Sequence, residues 1–191
     1  MSHGRKADLE FGVSDSDETL ALSAAKGDKV AYEKLLRAQY DRIFSLTWRL
    51  TGNFHEAQDV TQDICLSLPR RLQGFRGEAS LKSWLYRVVV NAVHDARRAA
   101  GRRARWSQEW GAWELDRIDD AESSDKAHAW LNEAIASLPV DLRDTLALSF
   151  DDDLTQAQIA TILDISPGTV AWRISQLKKH LRQYAKTEGV A

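Results

Sequence analysis

Cysteine, proline and methionine are scarce in this sequence, with one, three and one in 191 residues. A single cysteine excludes an intramolecular disulfide. Cys65 lies in an apolar helical pattern, which favours an inert buried thiol over the alternative of a redox sensor. The five histidines lack metal-ligand spacing, and the sequence shows no nucleophile–base pair and no glycine-rich phosphate loop. We therefore expect no metal, no cofactor and no enzymatic activity, and we expect the adjacent His94 and Asp95 to face solvent or a DNA backbone.

Long apolar runs are also missing. No stretch approaches the ~20 consecutive apolar residues that span a bilayer, and the N-terminus lacks the apolar core of a signal peptide. Hydrophobic residues make up 43% of the chain and charged residues 28%, which is typical of a folded globular protein. These features predict a cytoplasmic protein without membrane insertion.

The net charge of −2 hides a strongly uneven distribution. Five arginines lie between Arg97 and Arg105, and residues 165–186 hold five Lys or Arg, one His and no acid. Acidic residues collect near the start, in residues 116–125 and in the run from Asp151 to Asp153. Two basic stretches on an otherwise acidic chain predict two surfaces that face phosphates.

Apolar residues recur at three- and four-residue steps along most of the chain, and strand-like alternation is absent. Asp28 is suited to cap one long helix and Ser80 another, and Pro69 should kink or end the helix that contains it. The segment from Gln73 to Glu78 is typical of a loop with an exposed Phe75. The predicted fold is all-α, with two small helical domains joined by a flexible linker and a helix-turn-helix in the second. The predicted boundaries are a mobile tail at 1–17, a first domain at 18–100, a linker at 101–125, a second domain at 126–186 and a tail at 187–191.

The helix-turn-helix is predicted from spacing near the C-terminus. Thr155 can cap a short helix, and the small Ala160 precedes Val170 by ten positions, which suits close packing of two helices. Asp164 stands where such turns usually have glycine, so we expect it in the left-handed conformation. The alternative is a helical hairpin with a solvated basic face. The residues predicted to face DNA are Thr169, Ala171, Trp172, Arg173, Ser175, Gln176 and Lys179.

The order of motifs resembles the extracytoplasmic-function sigma factors of the sigma-70 family, over nearly all of residues 20–184. No single fragment is specific, but their order and spacing together are. The matching segments are Gly27 to Leu35, Tyr40 to Phe44, Thr51 to Asp63, Phe75 to Ser80, Trp84 to Arg87 with Asn91, Leu138-Pro139, Leu142-Arg143 and Gly168 to Val170.

The resemblance implies a subunit that directs RNA polymerase to promoters. Its first domain would dock on the β′ clamp helices of core polymerase through Asp59, Gln62 and Asp63, which otherwise form an ordinary solvated face. Its second domain would bind the β flap and the −35 element, and an anti-sigma factor would hold the protein inactive. The residues implied for the −10 region, where an unpaired base is held out of the stack, are Phe75, Arg76, Gly77, Ser80, Lys82, Arg87, Asn91, Arg97 and Arg98.

Some positions depart from the family pattern, and others allow more than one structural role. Ala171-Trp172 replaces a basic residue that often follows Val170, which puts any borrowed promoter sequence in doubt. Phe75 could instead fill the gap between two helices, and we expect Trp84 in the core. Tryptophans 106, 110 and 113 have no family counterpart, and we interpret them as interface or inter-lobe packing residues. The alternative function is a stand-alone DNA-binding regulator whose first domain dimerises or senses a signal.

Overall fold

The computed structural model describes residues 16–109, 134–135, 137–151 and 153–187. Within these ranges the chain forms seven α-helices of at least eight residues and no strand, which confirms the predicted all-α class. The helices are α1 (Asp17–Ala25), α2 (Lys29–Thr51), α3 (Phe54–Leu72), α4 (Leu81–Glu109), α5 (Val140–Ser149), α6 (Gln156–Leu163) and α7 (Pro167–Thr187).

Polar caps fix where the first helices begin. The Asp28 carboxylate accepts hydrogen bonds from the backbone N–H groups of Val30 at 2.9 Å and Ala31 at 3.1 Å, so the predicted cap is confirmed. Gly52 ends α2 with φ 71°, a left-handed conformation that glycine adopts without steric cost. Asn53 then caps α3 through the N–H of Glu56. The short turn makes α2 and α3 an antiparallel pair.

Pro69 lies inside α3, and the helix continues past it to Leu72. Proline has no backbone N–H, so the carbonyl of Cys65, four residues earlier, loses its helical donor. The Tyr32 hydroxyl on α2 donates to that carbonyl at 2.6 Å. Burial raises the pKa of the Cys65 thiol, which lowers its thiolate fraction and favours the inert interpretation.

The long helix α4 differs from its predicted end. The Ser80 hydroxyl accepts a hydrogen bond from the Ser83 N–H, as expected of a cap. The helix continues to Glu109, so it includes residues 101–109, where the sequence analysis places the start of the linker. A single glycine, Gly101, costs a helix only about 1 kcal/mol, and the surrounding arginines and alanines are good helix formers.

Several predictions fall outside the described residues. They are the mobile N-terminal tail up to residue 15, the linker from 110 to 125, the start of the next predicted helix up to residue 133, and the last four residues of the C-terminal tail. Trp106 lies on α4, whereas Trp110 and Trp113 lie outside the described part of the chain.

One apolar core runs through both lobes. Helix α4 packs against α6, and α2 packs against α5, so the C-terminal helices lie on the N-terminal ones. A smaller cluster of Leu138, Leu142 and Leu177 lies within the C-terminal lobe. The two lobes therefore share buried surface that neither has alone. The C-terminal residues in the common core are Ala147, Leu148, Ile159, Ala160, Ile162 and Val170.

No helix in the described part of the chain has the length and apolar character needed to cross a membrane.

Replacing Tyr32 by phenylalanine tests the role of its hydroxyl. Tyr32→Phe leaves the Cys65 carbonyl without a donor, and we expect it to lower the free energy of unfolding by about 1 kcal/mol. In a Pro69→Ala background residue 69 regains its N–H, so the same change should cost less than half as much. Chemical denaturation of the four proteins measures this coupling. Tyr40→Phe, at an exposed tyrosine of the same helix, is the control and should have no effect. Equal costs of Tyr32→Phe in both backgrounds would contradict the explanation.

Candidate nucleic-acid interface

The turn between α6 and α7 has helix-turn-helix geometry. Thr155 and Gln158 form a reciprocal capping box at the start of α6. Asp164 ends that helix at φ 55° and ψ 47°, so its predicted left-handed conformation is confirmed. The backbone N–H groups of Asp164 and Ile165 both point to the Ala160 carbonyl, the latter at 3.0 Å. These bonds satisfy the carbonyl that the helix end would otherwise leave unpaired.

Helix α7 begins at Pro167, whose missing N–H would be unpaired at a helix start in any case. The Ser166 hydroxyl caps it by accepting a hydrogen bond from the Thr169 N–H at 3.0 Å. Val170 and Leu177 are buried, which turns the opposite face of the helix toward solvent. A helix presented in this way is the element that such motifs insert into a major groove.

The exposed face of α7 contains four of the seven residues predicted to face DNA: Ala171, Trp172, Ser175 and Lys179. The Trp172 residue is 57% exposed. Thr169 and Gln176 are half-buried, and the Thr169 hydroxyl pairs with that of Ser166.

Arg173 does not lie on that face, so its predicted place there is wrong. Its side chain is 16% exposed, and its Nε lies 3.4 Å from a carboxylate oxygen of Asp141 without forming an aligned hydrogen bond. The cause is packing of α5 against α7, which covers this side of the recognition helix.

The loop between α3 and α4 differs from expectation at its aromatic residue. The prediction of an exposed Phe75 is wrong, because Phe75 is only 5% exposed. Its ring lies 5.4 Å from that of Trp84, centroid to centroid, and Trp84 itself packs on the core as predicted. Phe75 thus fills the gap between the helices and forms the floor of the loop above it.

Other residues assigned to the −10 region remain accessible on this loop and on α4. Gly77 has φ 72°, a conformation that a side chain would strain. Arg98 pairs with Asp95 on its own helix and stays largely exposed. The exposed members of this set are Arg76, Gly77, Ser80, Arg87, Asn91 and Arg98.

Lys82, in contrast, forms ion pairs with acidic residues of the C-terminal lobe. Its Nζ lies 2.6 Å from Asp151 and 3.2 Å from Asp153, two residues that follow α5. Arg87 donates to the Thr161 carbonyl on α6 at 2.9 Å.

A second cluster lies further along α4. Arg97 donates to Asp144 of α5 at 3.0 Å and to the Leu50 carbonyl. His94 lies 2.6 Å from the other Asp144 oxygen, so the expectation that it faces solvent or DNA is wrong. Asp144 is 3% exposed, which makes it a buried carboxylate with two partners on the other lobe.

Asp151 and Tyr86 form a further polar contact between the lobes. The Tyr86 hydroxyl donates to Asp151 at 2.5 Å. Burial, followed by the hydrogen bond to Asp151, raises the pKa of Tyr86. Burial alone would raise the pKa of Asp151, but hydrogen bonds from Lys82 and Tyr86 outweigh it and lower that pKa. Asp151 is therefore held as a carboxylate.

Asp59, Gln62 and Asp63 all lie exposed on α3, on the polar face that the sequence predicts. Leu66 follows on the same helix and is 75% exposed. Trp48 and Phe54, each about half exposed, meet edge to face at the nearby α2–α3 corner. The sequence analysis missed these apolar residues, although Leu66 continues the three- and four-residue spacing of Asp59 and Gln62.

Together these features define a two-lobed helical protein with a helix-turn-helix in one lobe and a basic helix with an adjacent loop in the other. Residues 35–103 match the family model for sigma-70 region 2, and residues 128–181 match that for sigma-70 region 4. The chain belongs to the extracytoplasmic-function sigma factors of the sigma-70 family.

Curated relatives span most of both chains. RNA polymerase sigma-H factor of Pseudomonas aeruginosa is 31% identical over 178 residues, covering 87% of this chain and 92% of the relative. ECF RNA polymerase sigma-E factor of Escherichia coli K12 is 31% identical over 176 residues, with 86% and 91% covered.

Two solved structures share the fold. The sigma factor RpoE of Bartonella quintana, in complex with the anti-sigma factor NepR, superposes with a TM-score of 0.65 at 19% identity, covering 81% of this chain and 96% of that one. CnrH, in complex with the cytosolic domain of CnrY, gives 0.66 at 21% identity, covering 91% and 99%.

The helix-turn-helix carries a stability prediction at Asp164. Because a left-handed conformation costs a residue with a Cβ about 1–2 kcal/mol, Asp164→Gly should raise the free energy of unfolding by about 1 kcal/mol. Glu33→Gly, in the second turn of α2, is the control and should lower it by a similar amount. Denaturant titration distinguishes them, and a loss of stability in Asp164→Gly would contradict the assignment.

Proposed function

We propose that this chain binds core RNA polymerase, recognises the −35 and −10 promoter elements and helps open the duplex. The observation that carries the proposal is the order of the two sigma-70 regions in one chain, each with an exposed surface suited to its role. In this role the protein has no catalysis of its own and acts in the cytoplasm, where polymerase and DNA meet.

Contact with polymerase is assigned to α3. Asp59, Gln62 and Asp63 form an exposed acidic and polar stripe, and the exposed Leu66 adds an apolar contact beside it. Carboxylates around an apolar residue suit steered association with a basic partner. We assign this face to the β′ clamp helices and the C-terminal lobe to the β flap.

The −10 element is assigned to the α3–α4 loop and the adjoining face of α4. A base taken out of the stack needs a pocket with an apolar floor and polar groups for its edge. Phe75 supplies the floor. Ser80, just before α4, and Asn91, on α4, are both exposed and offer a hydroxyl and an amide for the edge of the base. Lys82, Arg87, Arg97 and Arg98 supply cations for the backbone.

The −35 element is assigned to α7. Lys179 can contact a phosphate, and Gln176 has the amide group that pairs with adenine. Trp172 places a large apolar surface beside Ala171, where a basic residue would add a phosphate contact. Arg173, held near Asp141, joins the interface only if that contact is released.

Two solved relatives are complexes, one with the anti-sigma factor NepR and one with the cytosolic domain of CnrY. We propose that a partner of the anti-sigma kind holds this chain inactive by covering its polymerase-binding surfaces.

Run-off transcription with a bacterial core polymerase free of other sigma factors tests the proposal. Across a promoter library, the holoenzyme should yield transcripts that core polymerase alone does not, while the isolated chain binds promoter duplex weakly. Tight operator binding by the isolated chain, with no run-off transcript from the holoenzyme, would indicate a stand-alone regulator instead.

Neutralising the α3 stripe tests the polymerase contact. Asp59→Asn with Asp63→Asn removes two charges from an exposed face, and we expect several-fold weaker binding to core polymerase with a reduced salt dependence. The matched control is Glu33→Gln with Asp41→Asn, which removes two exposed charges from α2. Fluorescence anisotropy of labelled protein measures both. Equal affinities of the two variants would contradict the assignment.

A further inference from the structure

The first two turns of α7 present an apolar surface at the end where a recognition helix contacts base edges. Counted from Pro167, Ala171 and Trp172 are the fifth and sixth residues of the helix, and both are exposed. The Trp172 residue is 57% exposed, whereas Val170 and Leu177, on the side that packs on the lobe, are buried. Trp172 therefore lies outside the core of its own lobe.

This end of α7 presents no exposed cation. Arg173 is the only Lys or Arg in residues 165–177, and its mostly covered side chain lies beside Asp141. Lys178 and Lys179 are exposed, but they begin about 9 Å further along the helix axis than Trp172. Arginine or lysine on O6 and N7 of guanine is the commonest specific contact in the major groove. The start of α7 thus lacks the side chain that reads guanine, and the lysines beyond it suit phosphates.

The chemistry of the major groove limits what an indole ring can recognise there. In a duplex the flat faces of the bases are stacked on each other, so the ring meets only base edges. The apolar group on those edges is the C5-methyl of thymine. The indole N–H is a single donor, and adenine and guanine both offer it an N7 acceptor, so it does not separate the two kinds of base pair. A groove-facing tryptophan therefore discriminates through the thymine methyl group.

From this geometry we propose that Trp172, together with Ala171, makes this chain select thymine in the −35 element by packing on its C5-methyl group. The inference rests on the proposed function, because it requires α7 to lie in the major groove. Ala171 is short, so it lets the helix backbone approach the base edges on which the indole packs. Gln176 follows Trp172 by one turn on the same side of the helix, and its amide suits adenine. Both side chains therefore favour A·T pairs.

Replacing thymine by deoxyuridine removes this methyl group and leaves the base pair unchanged, so it isolates the proposed contact. Holoenzyme with the wild-type chain first selects promoters from a library, and each thymine in a selected −35 element, on either strand, is then replaced in turn. Fluorescence anisotropy of the labelled duplexes gives their affinities for the wild-type holoenzyme and for holoenzymes with Trp172→Ala, Trp172→Phe or Lys179→Ala. Lys179→Ala is the matched control, because it removes a phosphate-binding group from the same exposed face of α7.

At one or more positions, uracil should weaken binding of the wild-type holoenzyme about fourfold, which is the effect of removing one methyl group from a buried apolar contact. Trp172→Ala should bind the thymine and uracil duplexes equally, and Trp172→Phe should keep part of the difference. Lys179→Ala should bind both duplexes more weakly and keep their ratio, since a phosphate contact carries no sequence information. A −35 element without an A·T pair, or wild-type binding that no uracil changes, would overturn the proposal.

A contact of Trp172 with polymerase is the competing explanation of its exposure. The basic, acid-free sequence of residues 165–186 favours DNA as the partner of this face. If polymerase were the partner, Trp172→Ala would weaken transcription from every promoter and keep the wild-type ratio of thymine to uracil affinities, which would also overturn the proposal. Trp172 is exposed, so its substitution should leave the circular dichroism unchanged. A holoenzyme that transcribes but binds thymine and uracil duplexes equally would reject this inference alone, whereas a holoenzyme that makes no transcript would reject the proposed function.

Discussion

Asp144 is a buried carboxylate that joins the two lobes. Its carboxylate is buried and accepts from Arg97 while it contacts His94, both on the long helix of the other lobe. A buried carboxylate without partners would cost several kcal/mol, so the orientation of α5 on α4 is set by where these partners lie. Asp151 repeats the arrangement nearer the start of α4, and the apolar core between them extends across both lobes. This contact between the lobes determines which residues of α4 in the candidate nucleic-acid interface are accessible and which are already paired.

Local chemistry made much of the fold predictable. The caps at Asp28, Ser80 and Thr155 depend on atoms within three residues, and the left-handed Asp164 depends only on its own backbone. The exposed stripe on α3 follows from helical periodicity. These features need no knowledge of which elements meet, and for that reason the sequence was sufficient to predict them.

The predictions that the structure corrects depend, in contrast, on which elements pack against each other. Phe75, His94 and Arg173 were expected at the surface, and each is covered or engaged by a residue of another helix: Trp84, Asp144 or Asp141. Periodicity assigns a residue to a face, but it does not say which neighbour covers that face. The acidic run at Asp151 was noted only as a charge cluster, since nothing in the sequence pairs it with Lys82, 69 positions earlier. The length of α4 beyond residue 100 was not predicted, because one glycine is a weak signal beside good helix formers.

Distances between the lobes test their packing against each other most directly. Spin labels at Asp41→Cys on α2 and Gln183→Cys on α7, in a Cys65→Ser background, would report the separation by pulsed electron paramagnetic resonance. For the free chain we expect one narrow distance distribution, replaced by a longer one when core polymerase binds. A broad distribution in the free chain that polymerase leaves unchanged would contradict an account in which one lobe covers the DNA-facing helix of the other.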